Sequence, residues 1–365
     1  MKIGIITMHN IDNIGSVLQA YALQRKMELL GYDAKLIDYR EVLESKKDTL
    51  LHRIILFFIN AFLGFPKRKY LKRLRDFKNT HYKCTSQIYT RNNISEVGSL
   101  FDIFCTGSDQ VWNPRFIGND TSFMLDFVPD SKPRISYAAS FAADNIPSEY
   151  IECYKSCLSK YKCITVREKT GESVVKSLIA KDCLTVCDPT LLLTSEEWNE
   201  IAEKSRINIK GKYILVYLLG YMFESRPFFY DIVNKVQKEL GYKVYYINGW
   251  LTELRQPNSK VLFGIGPSEF ITLIKNASFV ITDSFHGSVF STIYKTPLLG
   301  VVKNSTTGDG RIASLLRIVK NEESIIQYNS SFKFDAHDVS KYLPNDQSLK
   351  EFRDKSISSL TNMLN

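Results

Sequence analysis

Lys2-Ile3-Gly4-Ile5-Ile6-Thr7, the loop Met8-His9-Asn10-Ile11-Asp12-Asn13-Ile14-Gly15, and a helical pattern from Ser16 to Leu30 that stops at Gly31 decide the fold. The first segment is almost wholly apolar and rich in isoleucine, the pattern of a buried strand. Ala34 to Asp38 reads as the next strand. Strand, loop, helix and strand within about 40 residues make a βαβ unit, which predicts a parallel sheet with right-handed crossovers. Further strands are expected at Phe101–Thr106, Arg134–Ala139 and Cys163–Val166, with helices at Ser148–Lys160 and Gly171–Ala180.

A second alternating series begins after Cys187-Asp188-Pro189-Thr190. Strands are expected at Tyr213–Leu219, Lys243–Ile247, Phe279–Thr282 and Leu298–Val302, with helices at Arg226–Leu240, Pro267–Asn276 and Gly287–Tyr294. Alternation in both halves predicts two doubly wound α/β domains with a cleft between them. The polar segment near Thr194 to Gly211 reads as the seam. Residues 1–194 are then one domain, with a helical insertion of apolar and basic residues over 50–80. Residues 195–345 are the second domain, and 346–365 a terminal amphipathic helix.

Composition narrows the classes further. The chain has 365 residues, 44% hydrophobic and 24% charged, which excludes disorder, collagen and disulfide-knot scaffolds. Lysine plus arginine exceed aspartate plus glutamate by 48 to 39, for a net charge of +9. That sign suits a partner carrying phosphate or carboxylate, or an anionic membrane surface. No RNP, zinc-finger or helix-turn-helix pattern supports a nucleic-acid partner. The seven cysteines include no C-x-x-C pair, and Cys153/Cys157 and Cys183/Cys187 lack further ligands at zinc spacing. Thiols that are structural or free, a reducing cytoplasm and no metal are the expectation. The opening residues do not have the form of a signal peptide.

The longest apolar run, Ile54 to Phe65, is interrupted by Asn60 and followed by Lys67, Arg68, Lys69, Lys72, Arg73 and Arg75. A membrane span needs about 20 apolar residues. Two readings stand: a core-facing helix followed by a solvated basic one, or peripheral attachment at the inner face of an anionic membrane.

In an open parallel sheet, ligands bind beyond the carboxyl ends of the strands. Four segments occupy that position. The loop His9 to Ser16, including Asn13, can hold an anion or a hydroxylated ligand at a helix start, and lacks both nucleotide-binding glycine motifs. Cys105-Thr106-Gly107-Ser108-Asp109-Gln110-Val111-Trp112-Asn113-Pro114 combines many hydrogen-bonding groups with one large stacking surface, the character of a sugar site. There Ser108, Gln110 and Asn113 would bind hydroxyls, Trp112 would stack and Asp109 would act as base. Arg167 in Thr165-Val166-Arg167-Glu168 can clamp a carboxylate or phosphate, or form a structural ion pair. In Thr282-Asp283-Ser284-Phe285-His286-Gly287-Ser288 a strand meets a helix start. His286 could exchange a proton beside a phosphate, Gly287 would let a ligand approach the backbone, and Ser284 and Ser288 flank them.

Together and in this order, these segments resemble the polysaccharide pyruvyl transferase family. The resemblance runs from Ile3 to about Leu316 and rests on Asn13 to Ala20, Gly107 to Asn113, Ser136 to Phe141, Val166-Arg167-Glu168, Asp188-Pro189-Thr190 and Thr282 to Gly287. It implies a GT-B-like pair of Rossmann-type domains, the first on the acceptor side and the second on the phosphoenolpyruvate side. It also implies transfer from phosphoenolpyruvate onto two hydroxyls of a sugar, giving a pyruvate ketal on a capsule or exopolysaccharide unit, lipid-linked or free. Phosphoenolpyruvate is then a co-substrate, and no cofactor is implied.

The family histidine falls on His286 and its donor-binding arginine on Arg167. Many members carry an arginine where this chain has Ser284, and Arg311 is the candidate to replace it. Two rivals share the sequence features: a GT-B glycosyltransferase using a nucleotide sugar, and a non-catalytic saccharide-binding protein.

Overall fold

The computed structural model of the chain describes residues 1–40, 50–118, 120–220, 223–248, 253, 256–304 and 310–365, with residues 50–63 as backbone only. Strands β1 (Lys2–Ile6), β2 (Asp33–Leu36), β3 (Ile103–Thr106), β4 (Arg134–Ala139), β5 (Cys163–Val166) and β6 (Leu184–Thr185) form one sheet, in the order β2-β1-β3-β4-β5-β6. Strands β7 (Tyr213–Tyr217), β8 (Lys243–Ile247), β9 (Ser259–Leu262), β10 (Phe279–Thr282), β11 (Leu298–Val302) and β12 (Ile325–Gln327) form the second, in the order β12-β11-β10-β7-β8-β9. Every pairing is parallel. Ile3, Ile5 and Ile6 are fully buried, as strands covered on both faces require.

In each sheet the chain first builds outward on one side and then returns to add strands on the other. The reversals lie between β1 and β3 and between β7 and β10. At such a switch point the loops leaving adjacent strands part and open a crevice. The loops after β1 and β3 thus face those after β7 and β10.

The halves are not joined by a bare linker. One hydrophobic cluster runs through both, from Ile3 and Leu23 to Phe290 and Leu298. The Ile14–Leu29 helix lies inside it and is buried nearly all round, so it shows no apolar stripe. Two of its buried amide groups donate internally, Gln19 Nε2 to Thr7 Oγ1 at 3.0 Å and Gln24 Nε2 to the carbonyl of Ala34 at 3.0 Å, while Gln19 Oε1 has no partner among the described residues. The expected seam is partly helical. Thr194 and Glu197 form a reciprocal capping box, and the Ser195–Ala202 helix buries Trp198. The terminal Asp346–Leu364 helix crosses back to the first half, where Ser356 Oγ accepts from Cys187 N at 2.9 Å and Arg353 Nε donates to Leu191 O at 2.6 Å.

The basic run belongs to one long helix, Leu50–His81, with Pro66 inside it. Arg73 reaches the second half, donating to Gly264 O at 2.7 Å and pairing with Glu269 at 3.0 Å, so this charge is not simply solvated. The side chains of residues 54–63, on which the membrane reading turns, lie outside the described residues. No described helix is long and apolar enough to cross a membrane. All seven cysteines are unpaired.

Candidate active site in the cleft between the sheets

A cleft of about 710 Å³ opens between the two switch points. Its walls come from Thr7 to Ser16 after β1, Asp109 and Gln110 after β3, Leu219 after β7 and Ser284 to His286 after β10, with Tyr39, Arg40, Phe116, Phe123 and Arg311 around them. Three helices begin here. Asn13 caps the Ile14–Leu29 helix, accepting from Gly15 N at 2.8 Å. Ser284 caps Phe285–Ile293, accepting from Gly287 N at 3.2 Å, and Arg311 is the first residue of Arg311–Ile318. Unpaired N–H groups and helix dipoles at such starts favour an anion.

His286 projects from the second half against the first. Its Nε2 is buried without a hydrogen-bond partner and lies 3.6 Å from Asp188 Oδ2. Its Nδ1 lies against Gly15, where an added Cβ would stand 2.0 Å away. Gly15 is therefore a position where absence of a side chain makes room for the histidine. Gly15→Ala must push the imidazole aside. A catalytic group displaced by about 1 Å can cost about a hundredfold in rate, and that loss is expected with an unchanged circular dichroism spectrum. Turnover measured beside the unfolding midpoint checks it, and retained turnover would show that the ring need not sit there.

Behind His286 lies a buried ion cluster. Asp188 accepts from Thr190 N at 3.0 Å and Thr190 Oγ1 at 2.7 Å, and pairs with Arg167 Nη1 at 3.1 Å. Burial alone would raise the Asp188 carboxyl, but His286, Arg167 and Thr190 outweigh it and hold the group well below the ordinary carboxylate range. For Arg167, burial opposes the charge, and Asp188, Asp109 and Glu168 overcome it, so its pKa is raised. Asp109 and Glu168 each lie 3.9 Å from the guanidinium. Glu168 is fixed by Ser140 Oγ at 2.9 Å and Phe141 N at 3.1 Å.

Several expected site residues need correction. Arg167 has a side chain 1% exposed and does not line the cleft; it sits one layer behind the wall and organises carboxylates. Trp112 is a core residue, packed on Phe141 and Tyr161 with Nε1 donating to Phe123 O at 3.3 Å. The phenyl and phenol rings on the wall are Phe116, 51% exposed, with Tyr39, Phe123 and Phe285. Ser108 is fully buried and donates to Ala138 O at 2.7 Å. Asn113 caps the Pro114–Ile117 turn and donates to Gln110 Oε1 at 2.8 Å. Gly287 is small because Thr282 Oγ1 would lie 2.6 Å from a Cβ, and Ser288 donates to Ser284 O at 3.2 Å inside its helix.

The remaining expected residues do reach the cleft: Asn13, Asp109, Gln110, Ser284, His286 and Arg311. Asp109 has φ 73°, and its carboxylate accepts from Gln110 N at 2.9 Å and from Ser16 Oγ. Among the described residues Arg311 has no carboxylate partner; its guanidinium lies 5.8 Å from the Phe285 ring centre, and that of Arg167 lies 4.8 Å from it. Sequence reasoning missed the roles of Asp188, Ser16 and Phe285. For Asp188 a local signal existed, an aspartate before Pro-Thr after a strand, the pattern of a capping residue with proline at the first helical position.

The family model for polysaccharide pyruvyl transferase matches residues 13–305. No curated protein matches the sequence. Among solved structures the chain is similar to a protein from Listeria monocytogenes assigned as a UDP-N-acetylglucosamine 2-epimerase, with 10% identity, a TM-score of 0.56, and coverage of 100% of this chain and 96% of that one. It is also similar to the UDP-GlcNAc 2-epimerase of Neisseria meningitidis bound to UDP-GlcNAc, with 9% identity, a TM-score of 0.52, and coverage of 99% and 100%. At these identities the likeness establishes the GT-B-like fold alone.

Proposed function

The chain belongs to the polysaccharide pyruvyl transferase family, and from that premise we propose that it forms a pyruvate ketal on a sugar, with phosphoenolpyruvate as donor and phosphate released. The observation that carries this reading is the presence of His286 and Arg311, an acid and a cation with no carboxylate partner among the described residues, on a cleft whose opposite wall offers Asp109, Gln110 and the exposed ring of Phe116.

The residues suit the steps. His286 Nδ1 gives a proton to the methylene carbon, leaving an oxocarbenium-like centre at C2. A sugar hydroxyl adds there as its proton passes to Asp109. A second hydroxyl then displaces phosphate, and its proton leaves with the released group. Arg311 and the three helix starts hold the donor's charges, which must be stabilised as the phosphate departs. Phe116, half exposed on that wall, offers an apolar face to a sugar ring. A cytoplasmic or inner-membrane-face location belongs to the same proposal.

The deciding assay mixes the protein with phosphoenolpyruvate and a panel of saccharides and measures phosphate. Release of a nucleotide from a sugar nucleotide, with none of phosphate from phosphoenolpyruvate, would instead favour a glycosyltransferase. Arg311→Gln is expected to weaken phosphoenolpyruvate binding by about tenfold to a hundredfold, since losing a charge-assisted hydrogen bond costs roughly 1.5–3 kcal/mol. Acceptor affinity should stay nearly constant. Titration calorimetry with each substrate checks this, and an equal loss for both would remove Arg311 from the donor site.

A further inference from the structure

We propose that a second pocket, lined by His9, Arg40, Arg75 and Lys78, is a subsite for a phosphoryl group carried by the saccharide acceptor. It has a volume of about 710 Å³ and shares Asn10, Asp12 and Arg40 with the cleft. A ligand in the cleft can therefore extend a substituent into it. The saccharide part of this inference rests on the function proposed above; the phosphoryl site does not.

The lining is built for an anion. Arg75 and Lys78 are three residues apart on the Leu50–His81 helix and so share a face. Arg75 has no ion pair or hydrogen bond among the described residues. Lys78 Nζ donates to Asn10 O at 3.2 Å and lies 3.6 Å from Asp12, whose carboxylate is 60% exposed and well solvated. Burial depresses the Lys78 pKa more than Asp12 restores it, which a bound dianion would relieve.

The other pocket carboxylate, Asp38, is already occupied by Asn10 Nδ2 at 2.9 Å and Arg40 at 3.3 Å. His9, with a side chain 1% exposed, has Nδ1 3.0 Å from Thr7 O, while its Nε2 is buried without a hydrogen-bond partner, 3.7 Å from Asp38. The free Arg75 fork and the Lys78 charge lining one space, with Arg40 held beside them by Asp38, are the pattern that recognises phosphate oxygens. Lys67, Arg68 and Lys69 do not line this pocket.

Calorimetric titrations with inorganic phosphate, glucose 1-phosphate and glucose, at saturating phosphoenolpyruvate and without it, test the proposal. Arg75→Gln/Lys78→Gln should bind glucose 1-phosphate about tenfold or more weakly and keep its phosphoenolpyruvate affinity. Arg75→Gln alone, at an exposed position, should move the same way. Wild-type protein should bind glucose 1-phosphate more tightly than either phosphate or glucose. Unchanged affinity in the variants overturns the site. Equal binding of phosphate and glucose 1-phosphate would make it a free-anion site and overturn the acceptor assignment. Pelleting with phosphatidylglycerol vesicles that depends on Arg75 and Lys78, without binding of the soluble phosphates, would reassign it to a lipid headgroup. If phosphoenolpyruvate fails to bind while glucose 1-phosphate still depends on Arg75 and Lys78, the donor reading falls and the phosphoryl site stands.

Discussion

His286→Ala should lower turnover by about a hundredfold or more while leaving the fold intact, the scale associated with loss of a general acid. The structure makes the expectation atom-specific. Nε2 is buried against Asp188, so Nδ1, beside Gly15 at the start of the Ile14–Leu29 helix, is the nitrogen left for the proposed proton transfer. The fold should survive because Asp188 keeps Arg167 and Thr190 as partners when the imidazole is removed. Donor binding should survive as well, since Arg311 and the helix starts remain. The measurement is phosphate release from phosphoenolpyruvate, with donor affinity and the unfolding midpoint followed in parallel. Wild-type turnover in the folded variant would remove His286 as the acid.

Much of this site could be read from local pattern. The apolar strand Lys2–Ile6, the break at Gly31 and the strand Phe279–Thr282 are strong signals, because a strand covered on both faces must be apolar throughout. The short strands β6, β9 and β12, of two to four residues, lack that signal. Too few side chains contribute to a period, and the strands are defined by the neighbours they pair with.

The same division holds in the cleft. His286 and Asp109 stand at the ends of strands, where topology places ligand-facing residues. Trp112 stands in such a segment too, but its indole turns into the core because Phe141, Tyr154 and Tyr161 supply an apolar environment there and Phe123 O accepts its N–H. Segment position says which loops reach the cleft, while packing decides which side chains in them do. Arg167 shows the limit most clearly. Its sequence neighbour Glu168 suggests a local pair, yet its nearest carboxylate is Asp188, supplied from beyond the edge strand β6.

Asp188→Asn should destabilise the protein by about 3 kcal/mol, near the lower end of the cost of breaking a buried ion pair. Asparagine can still accept from Thr190 N and so preserves the cap, which isolates the effect of charge. Arg167 then keeps only Asp109 and Glu168, each at 3.9 Å, around a guanidinium whose side chain is 1% exposed. The pH dependence has a definite sign. The folded-state pKa of Asp188 is depressed, so its contribution is present above the ordinary aspartate value of about 3.9 and is lost as pH falls through that value toward the folded one. The gap in stability between wild type and Asp188→Asn should therefore be full at neutral pH and narrow on acidification below about pH 4. Activity should fall as well, by about tenfold or more, because His286 Nε2 loses the carboxylate that orients the ring. Denaturant midpoints of the two proteins from pH 7 to pH 3, read beside turnover, separate the effects. A gap that stays constant with pH would mean that Asp188 acts through shape rather than charge. A variant as stable and as active as wild type would dissolve the link between Arg167, Asp188 and His286 altogether.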